Sequence, residues 1–334
     1  MRHTPVLLKE VIEGLGLDRP MSAMSTQTGE KSERAYPTVI DCNLGDGGHS
    51  EAIVDKLEGK VKIVGFDLDG DAIDRATTNI FSLKVATSGN FGKDQFVVFR
   101  RNFKFLKEAC AEVGIANVQG ILFDLGLSSY ELDESGRGFS FRKNEPLSMT
   151  FGASQDHVFT ASDIVNTWAE EHIEAVIRGY GEDRFAGRIA GAIVRARGKR
   201  LEGGQPEHPI NTTFELAALV RSAVPIYRRF GKIHPATQTF QAFRIAVNDE
   251  LTAIEEALPQ AFELLAPGGR LVVMSYHSLE DRIVKRYFKS LIDPEDDKEP
   301  LAKALTKKPT TPSEAELLQN PRSRSVKLRI IEKL

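Results

Sequence analysis

The run Asp41-Cys42-Asn43-Leu44-Gly45-Asp46-Gly47-Gly48-His49 combines three glycines, two carboxylates and an imidazole, and a further carboxylate, Asp67, follows eighteen positions after His49. Glycines there permit positive φ and remove the Cβ atoms that would hold a ligand off the main chain. An acid closing the next strand is where doubly wound folds accept ribose hydroxyls. The pair points to a nucleoside cofactor, against the plainer alternative of a tight strand-to-helix turn. The dinucleotide fingerprint G-x-G-x-x-G needs a third glycine where Ser50 stands, which weakens a nicotinamide or flavin reading. S-adenosylmethionine has no phosphate to cradle and needs only backbone room and hydroxyl acceptors.

These residues must be carried by strands. Thr38 to Asp41 is a short β-branched run, and Val61 to Phe66 delivers Asp67 to the sheet's carboxyl edge. Gln95 to Phe99 reads as a third strand and Gly120 to Asp124, again ending in an acid, as a fourth. Ser50 onward has helical spacing in Ile53 and Leu57. Leu251, Ile254, Leu258, Phe262 and Leu265 share one helical stripe in which Pro259 predicts a kink, and Pro267-Gly268-Gly269 supplies a stop. Arg270 to Tyr276 is a buried strand, Ser278 to Asp281 fits a capping box opening a helix through Phe288, and Ser325 to Ile331 is a last strand. Between the fourth strand and that stripe the grammar changes. Asp133 to Glu145 is loop-like, and Ser162 to about Ala223 reads as successive amphipathic helices. The expected architecture is an α/β core in two parts, 1–132 and 233–334, interrupted by an all-helical insertion at 133–232. A mobile insertion is expected at about 17–38 and a second surface insertion at 82–94.

Composition excludes several classes. With 334 residues, 41% apolar and 27% charged, the chain can bury a sizeable core as one large domain or two. No apolar stretch approaches the ~18 residues of a membrane span, and the first ten residues form no secretory segment. A cytoplasmic protein is expected, with no organellar presequence ahead of His3. Cys42 and Cys110 make no disulfide framework, and no Cys or His pair has zinc-ligand spacing, so no metal is expected. The net charge is −3, yet residues 178–244 hold twelve Lys and Arg against five acids. A local surplus of that size fits a polyanion partner, the alternative being solvated helix faces.

Eight segments carry a resemblance: HTPVLLKEV from His3, GDGGHS from Gly45, GILFDLGLSS from Gly120, RGFSF from Arg137, YGEDRFAGRIA from Tyr180, HPATQTFQAFRIAVNDEL from His234, LLAPGGRLVVMSYHSLEDRIVKRYF from Leu264 and NPRSRSVKLR from Asn320. In order and content they resemble the bacterial ribosomal RNA small subunit methyltransferase H family, from residue 3 to about 330. The resemblance implies a Rossmann-like, S-adenosylmethionine-dependent methyltransferase core with a helical substrate-recognition insertion. It also implies methylation of the exocyclic N4 of one cytidine in the decoding region of 16S ribosomal RNA, on free RNA or the small subunit. Carried over by position, it implies cofactor contacts at Gly47, Gly48, His49, Asp67, Phe103 and Asp124, and at Glu131, where the family has glutamine.

A sulfonium methyl is already activated, so the protein chiefly holds donor and acceptor in line. A hydrogen-bond acceptor beside the amine would oppose the positive charge developing on nitrogen. Asp124, Ser128 and His277 are the catalytic candidates, each near the carboxyl end of a strand; a turn residue is the plainer role for His277. A base taken out of its stack is commonly held by flat side chains. Phe139 and Phe141, framed by Arg137, Arg142 and Lys143, fit that need, with core packing as the equal alternative. His234 and Arg244 are either structural or RNA-facing. The chain departs from the family at Pro146 to Gly152, where PLDMRMD becomes PLSMTFG and Ser148 replaces a carboxylate. Two rival functions remain: a methyltransferase acting on another substrate, and a non-catalytic RNA-binding assembly factor.

Overall fold

In the computed structural model, residues 5–17, 36–153, 157–295 and 298–334 are described. Most of the expected insertion at 17–38 therefore lies outside the described residues. Contacts divide the chain into two units, 1–126 with 251–334, and 127–250.

The first unit is built on seven strands: β1 (Thr38–Asp41), β2 (Lys62–Asp67), β3 (Phe96–Arg100), β4 (Val118–Asp124), β5 (Leu265–Ser275), β6 (Ala302–Ala304) and β7 (Lys327–Lys333). Their order is β3-β2-β1-β4-β5-β7-β6. The first five are parallel, and β7 runs antiparallel between β5 and β6. The central strands are almost wholly apolar because both faces are covered. Alternation sends Ile121 and Phe123 of β4 to one face, against Ile254, Leu258 and Phe288, and Leu122 to the other, against Leu15, Ile53 and Ile80. Strand order reverses between β1 and β4, and open sheets of this kind bind ligands at the carboxyl ends beside that reversal.

Several elements differ from the sequence expectation. Strand β5 begins at Leu265 because a shift in register between Val118 and Gly120 absorbs the Pro-Gly-Gly segment, with Gly268 at φ +77°. The helix Glu250–Leu264 continues through Pro259 as one element. Residues 82–94 are more than a surface excursion: Lys84–Thr87 is helical and Phe91 is buried in the core. Strand β6 lies in a charged stretch without a strand signal; it forms because the exposed edge of β7 pairs with it. The cap before the helix Ser278–Ile292 is His277, one residue ahead of the expected Ser278.

The second unit is helical: Ser129–Asp133, Ala161–Thr167, Glu170–Gly181, Ala186–Arg197, Thr213–Ala223, Ile226–Arg229 and Ala236–Asn248. Thr160 with Asp163, and Thr212 with Glu215, form reciprocal capping boxes. Its core contains Ile164, Ile173, Ile177, Ile189, Ile193, Leu216, Val220 and Phe243. The expected boundary at 232 moves to 250, because Ala236–Asn248 buries Phe240, Phe243 and Val247 in this core. At the other end the boundary moves from 133 to 127.

Candidate functional site

The loop after β1 is pinned at both ends. Cys42 N–H donates to Leu122 C=O of β4 at 2.9 Å and Leu44 N–H to Phe66 C=O of β2 at 2.9 Å. Asp41, 2% exposed, receives Ser50 Oγ–H at 2.7 Å and Asn43 N–H at 3.3 Å, tying the loop to the helix Gly48–Lys56. Burial raises the Asp41 pKa, partly offset by the Ser50 hydrogen bond. Asp41 was passed over in the sequence as a strand end.

The glycines have different reasons. A Cβ on Gly47 would stand 3.0 Å from that of Ala76, and one on Gly48 2.6 Å from Pro5 Cγ, so packing requires both. Gly45 is at φ +49° and, among the described residues, no atom lies within 4 Å of a Cβ position, so there the missing side chain borders open space. Gly45 N–H donates to Asp67 Oδ2 at 2.8 Å, and Asp69 N–H to Oδ1 at 2.8 Å. Asp67 nevertheless has a pKa pushed up to about 6, chiefly by burial. Leu68 N–H also acts on this carboxylate, so of about four lone-pair sites roughly one is left for a hydroxyl donor. Among the described residues, Asn43 Oδ1, on the same loop, is buried without a hydrogen-bond partner.

At the end of β4 one oxygen of Asp124 is hydrogen-bonded and the other faces an imidazole. Tyr276 Oη donates to Oδ1 at 2.7 Å, and His49 Nδ1 lies 3.5 Å from Oδ2. His49 Nε2 is 3.0 Å from the Val6 carbonyl, an oxygen that can only accept, so Nε2 carries a proton. Burial, followed by the Asp124 charge, drives the Tyr276 pKa well above its ordinary value and keeps the phenol a donor. Two residues after Asp124, a Cβ at Gly126 would fall 2.5 Å from the Tyr276 ring; the glycine makes room for that ring. Tyr276 was missed in the sequence because an aromatic closing an apolar strand reads as core. Phe103 packs edge-on against Phe123 at 5.5 Å, at the same strand's end.

His277 takes the turn role. Its Nδ1 accepts Glu280 N–H at 3.4 Å, its Nε2 is 3.0 Å from Glu280 Oε1, and Glu280 Oε2 accepts Tyr276 N–H at 2.6 Å. The imidazole caps the helix and thereby steadies Tyr276.

In the helical unit Ser128 and Glu131 bind each other. Ser128 Oγ accepts Glu131 N–H at 3.1 Å and Glu131 Oε2 accepts Ser128 N–H at 2.8 Å. Either Glu or Gln completes such a box, so Glu131 preserves the structural part of the family's residue. Arg137 donates to the carbonyls of Thr150 (3.2 Å) and Gly152 (3.4 Å). Phe139 is buried and stacked on Phe151 at 5.5 Å, so core packing accounts for it. Phe141 lies against His234 at 4.6 Å and Phe240 at 5.0 Å. Arg142 is exposed, and Lys143 donates to the Asp133 carbonyl. Arg244 forms a two-pronged pair with Glu250 at 2.8 and 2.7 Å, both largely buried, which is the structural alternative. Ser148 Oγ lies 2.9 Å from Thr150 Oγ1, and Asn248 holds Met149 C=O and Phe151 N–H; neutral hydrogen bonds organise the segment in which the family carries charge.

The acceptor-rich edge, with three carboxylates, one orphaned acceptor and an open glycine, fits a cationic, hydroxyl-bearing adenosyl donor better than a phosphate. Together with the sheet order, it defines a Rossmann-like, S-adenosylmethionine-dependent methyltransferase. The profile of the MraW methylase family matches residues 1–334, and the chain belongs to that family. It is similar to "Ribosomal RNA small subunit methyltransferase H" of Heliobacterium modesticaldum, 41% identical over 99% of this chain and 98% of the relative. It is also similar to the protein of the same name from Dehalococcoides mccartyi, 42% identical over 99% of this chain and 86% of the relative. Among solved structures, an rRNA methylase from Streptococcus thermophilus overlaps 90% of this chain and 87% of its own, at 11% identity and a TM-score of 0.38. That overlap is too low to add to the sequence relation.

Proposed function

We propose that this protein transfers the methyl group of S-adenosylmethionine to the exocyclic N4 of a cytidine in the decoding region of small-subunit (16S) ribosomal RNA. The reading is supported chiefly by the Asp124 carboxylate, held by Tyr276 and placed beside His49 at the strand reversal, in a chain some 41% identical to a small-subunit methyltransferase over 99% of its length.

S-adenosylmethionine supplies an activated methyl that needs no further electrophilic help. Asp67 and the Gly45 backbone would hold its ribose, and Gly47, Gly48, His49 and Phe103 would border it. Asp124 would accept from the target amine and oppose the positive charge that grows on nitrogen. Tyr276 holds that carboxylate's orientation, so the acceptor needs no reorganisation during transfer. The helical unit would recognise the RNA, with Arg142 and Lys143 among its phosphate contacts and Ser128, His277 and Glu131 acting by positioning. The cytoplasm, where small subunits assemble, is the expected location.

The deciding experiment mixes the protein with labelled S-adenosylmethionine and immature small subunits, then maps the modified nucleotide. Label on one cytidine N4 is expected. Label elsewhere would establish a different substrate, and tight binding without label would establish the non-catalytic assembly factor that the loss of a carboxylate at Ser148 raises.

A further inference from the structure

The helical unit holds a groove that the methyl-transfer chemistry leaves unused. It encloses about 610 Å³ and is lined chiefly by Phe141, Phe214, Arg221, Arg229, Phe230 and His234. Phe230 is 74% and Phe214 49% exposed. Large rings left together in water mark an interaction site.

Arrangement and charge narrow the occupant. The Arg221 guanidinium lies 5.5 Å from the Phe230 ring centroid, and Arg221 is itself exposed. Arg229 instead turns inward, donating to Val224 C=O at 2.9 Å and Ser222 C=O at 2.7 Å, which fixes the turn that presents Phe230. Elsewhere in the lining the His234 and Phe141 rings sit 4.6 Å apart at 34°, with Phe141 backed by Phe240. Burial, followed by the Arg221 charge, lowers the His234 pKa, which favours the neutral ring beside Phe141. Among the described residues, none lining the groove is acidic. Flat faces interleaved with cations and free of carboxylates are what bases and phosphates require together.

We propose that this groove binds one or two unpaired nucleotides of the RNA substrate, outside the base that is methylated, with bases stacked on Phe214 and Phe230 and a phosphate paired with Arg221. The inference rests on the RNA-methyltransferase reading and adds a recognition site to it.

Phe214→Ala/Phe230→Ala and Arg221→Gln, made in the full chain, test it. All three side chains are exposed, and a thermal melt matching wild type verifies folding. With small subunits as substrate, KM should rise about tenfold or more in the double variant, since stacking is lost at two rings. Arg221→Gln should raise KM a few-fold and flatten its dependence on salt. The kcat and the S-adenosylmethionine Kd should stay unchanged, and Phe230→Trp should retain wild-type KM because any ring face serves. An active double variant with unchanged KM would overturn the groove while leaving the proposed function intact. A photocrosslinker at position 214 should capture ribosomal RNA; capture of a ribosomal protein instead would overturn it too. If wild-type protein leaves small subunits unlabelled, the RNA-methyltransferase reading fails first and the groove proposal with it.

Discussion

The two units place their polar groups in opposite ways. At the edge of the sheet, Asp41 is buried, Asp67 and Asp124 are half-buried, and each is met by fixed donors. In the helical unit, Phe214, Phe230 and Arg221 stand in solvent on a frame held by buried pairs such as Arg244 with Glu250. The first arrangement suits one small cofactor that returns in the same pose at every turnover, where preorganisation lowers the barrier. The second suits an extended, variable polyanion, for which exposed ring faces and charges give contact without exact register.

The contrast can be broken most forcefully at Arg244. If it is part of the frame, Arg244→Ala leaves Glu250 buried and unpaired and costs about 3–5 kcal/mol of stability, seen as a lowered Tm. A variant of unchanged stability but weakened RNA binding would move Arg244 to the recognition surface. Next in size, Asp124→Asn should reduce kcat about 10²- to 10³-fold with small effect on the RNA KM. Loss of RNA affinity alone would separate Asp124 from the chemistry.

Asp67→Asn should weaken S-adenosylmethionine binding about 10- to 100-fold by calorimetry, as expected for hydrogen bonds to a charged acceptor. The same residue gives a pH test. Its pKa is raised from 3.8 to about 6, so the carboxyl gains a proton, and loses acceptor capacity, as pH falls through about 6. Cofactor affinity should therefore be full above that value and decline below it, with the decline absent in Asp67→Asn. The folded chain holds this proton more tightly than the unfolded one, so the group's contribution to stability falls as pH rises from about 4 to 6. Smallest of the effects, Tyr276→Phe should lower kcat about fivefold while leaving cofactor Kd unchanged, the value of one hydrogen bond of about 1 kcal/mol. An equal loss in Kd would show that Tyr276 supports the cofactor instead.

Much of the sheet edge was legible in the sequence. Asp67 and Asp124 each end an apolar run, and a strand must carry its last side chain to the edge. Tyr276 was not legible, because its partner is 152 positions away and its space is created by Gly126, a relation that exists only once β4 and β5 are in register. His277 was visible both as a catalytic candidate and as a turn residue, and the folded chain displays the second role, as the cap of the helix Ser278–Ile292. In the helical unit the residue types were visible and their faces were not. Phe139 and Phe141 are two apart, yet one is buried on Phe151 while the other lines the groove.

Local chemistry was therefore settled by sequence: glycine spacing fixes where backbone is bare, apolar runs fix strands, and acids closing those runs fix where ligands are met. Only the folded chain decided which glycines are packed and which open, which arginines are bound internally, and which side chains grip Asp124. These choices depend on contacts between residues far apart along the chain, and no local pattern encodes such distances.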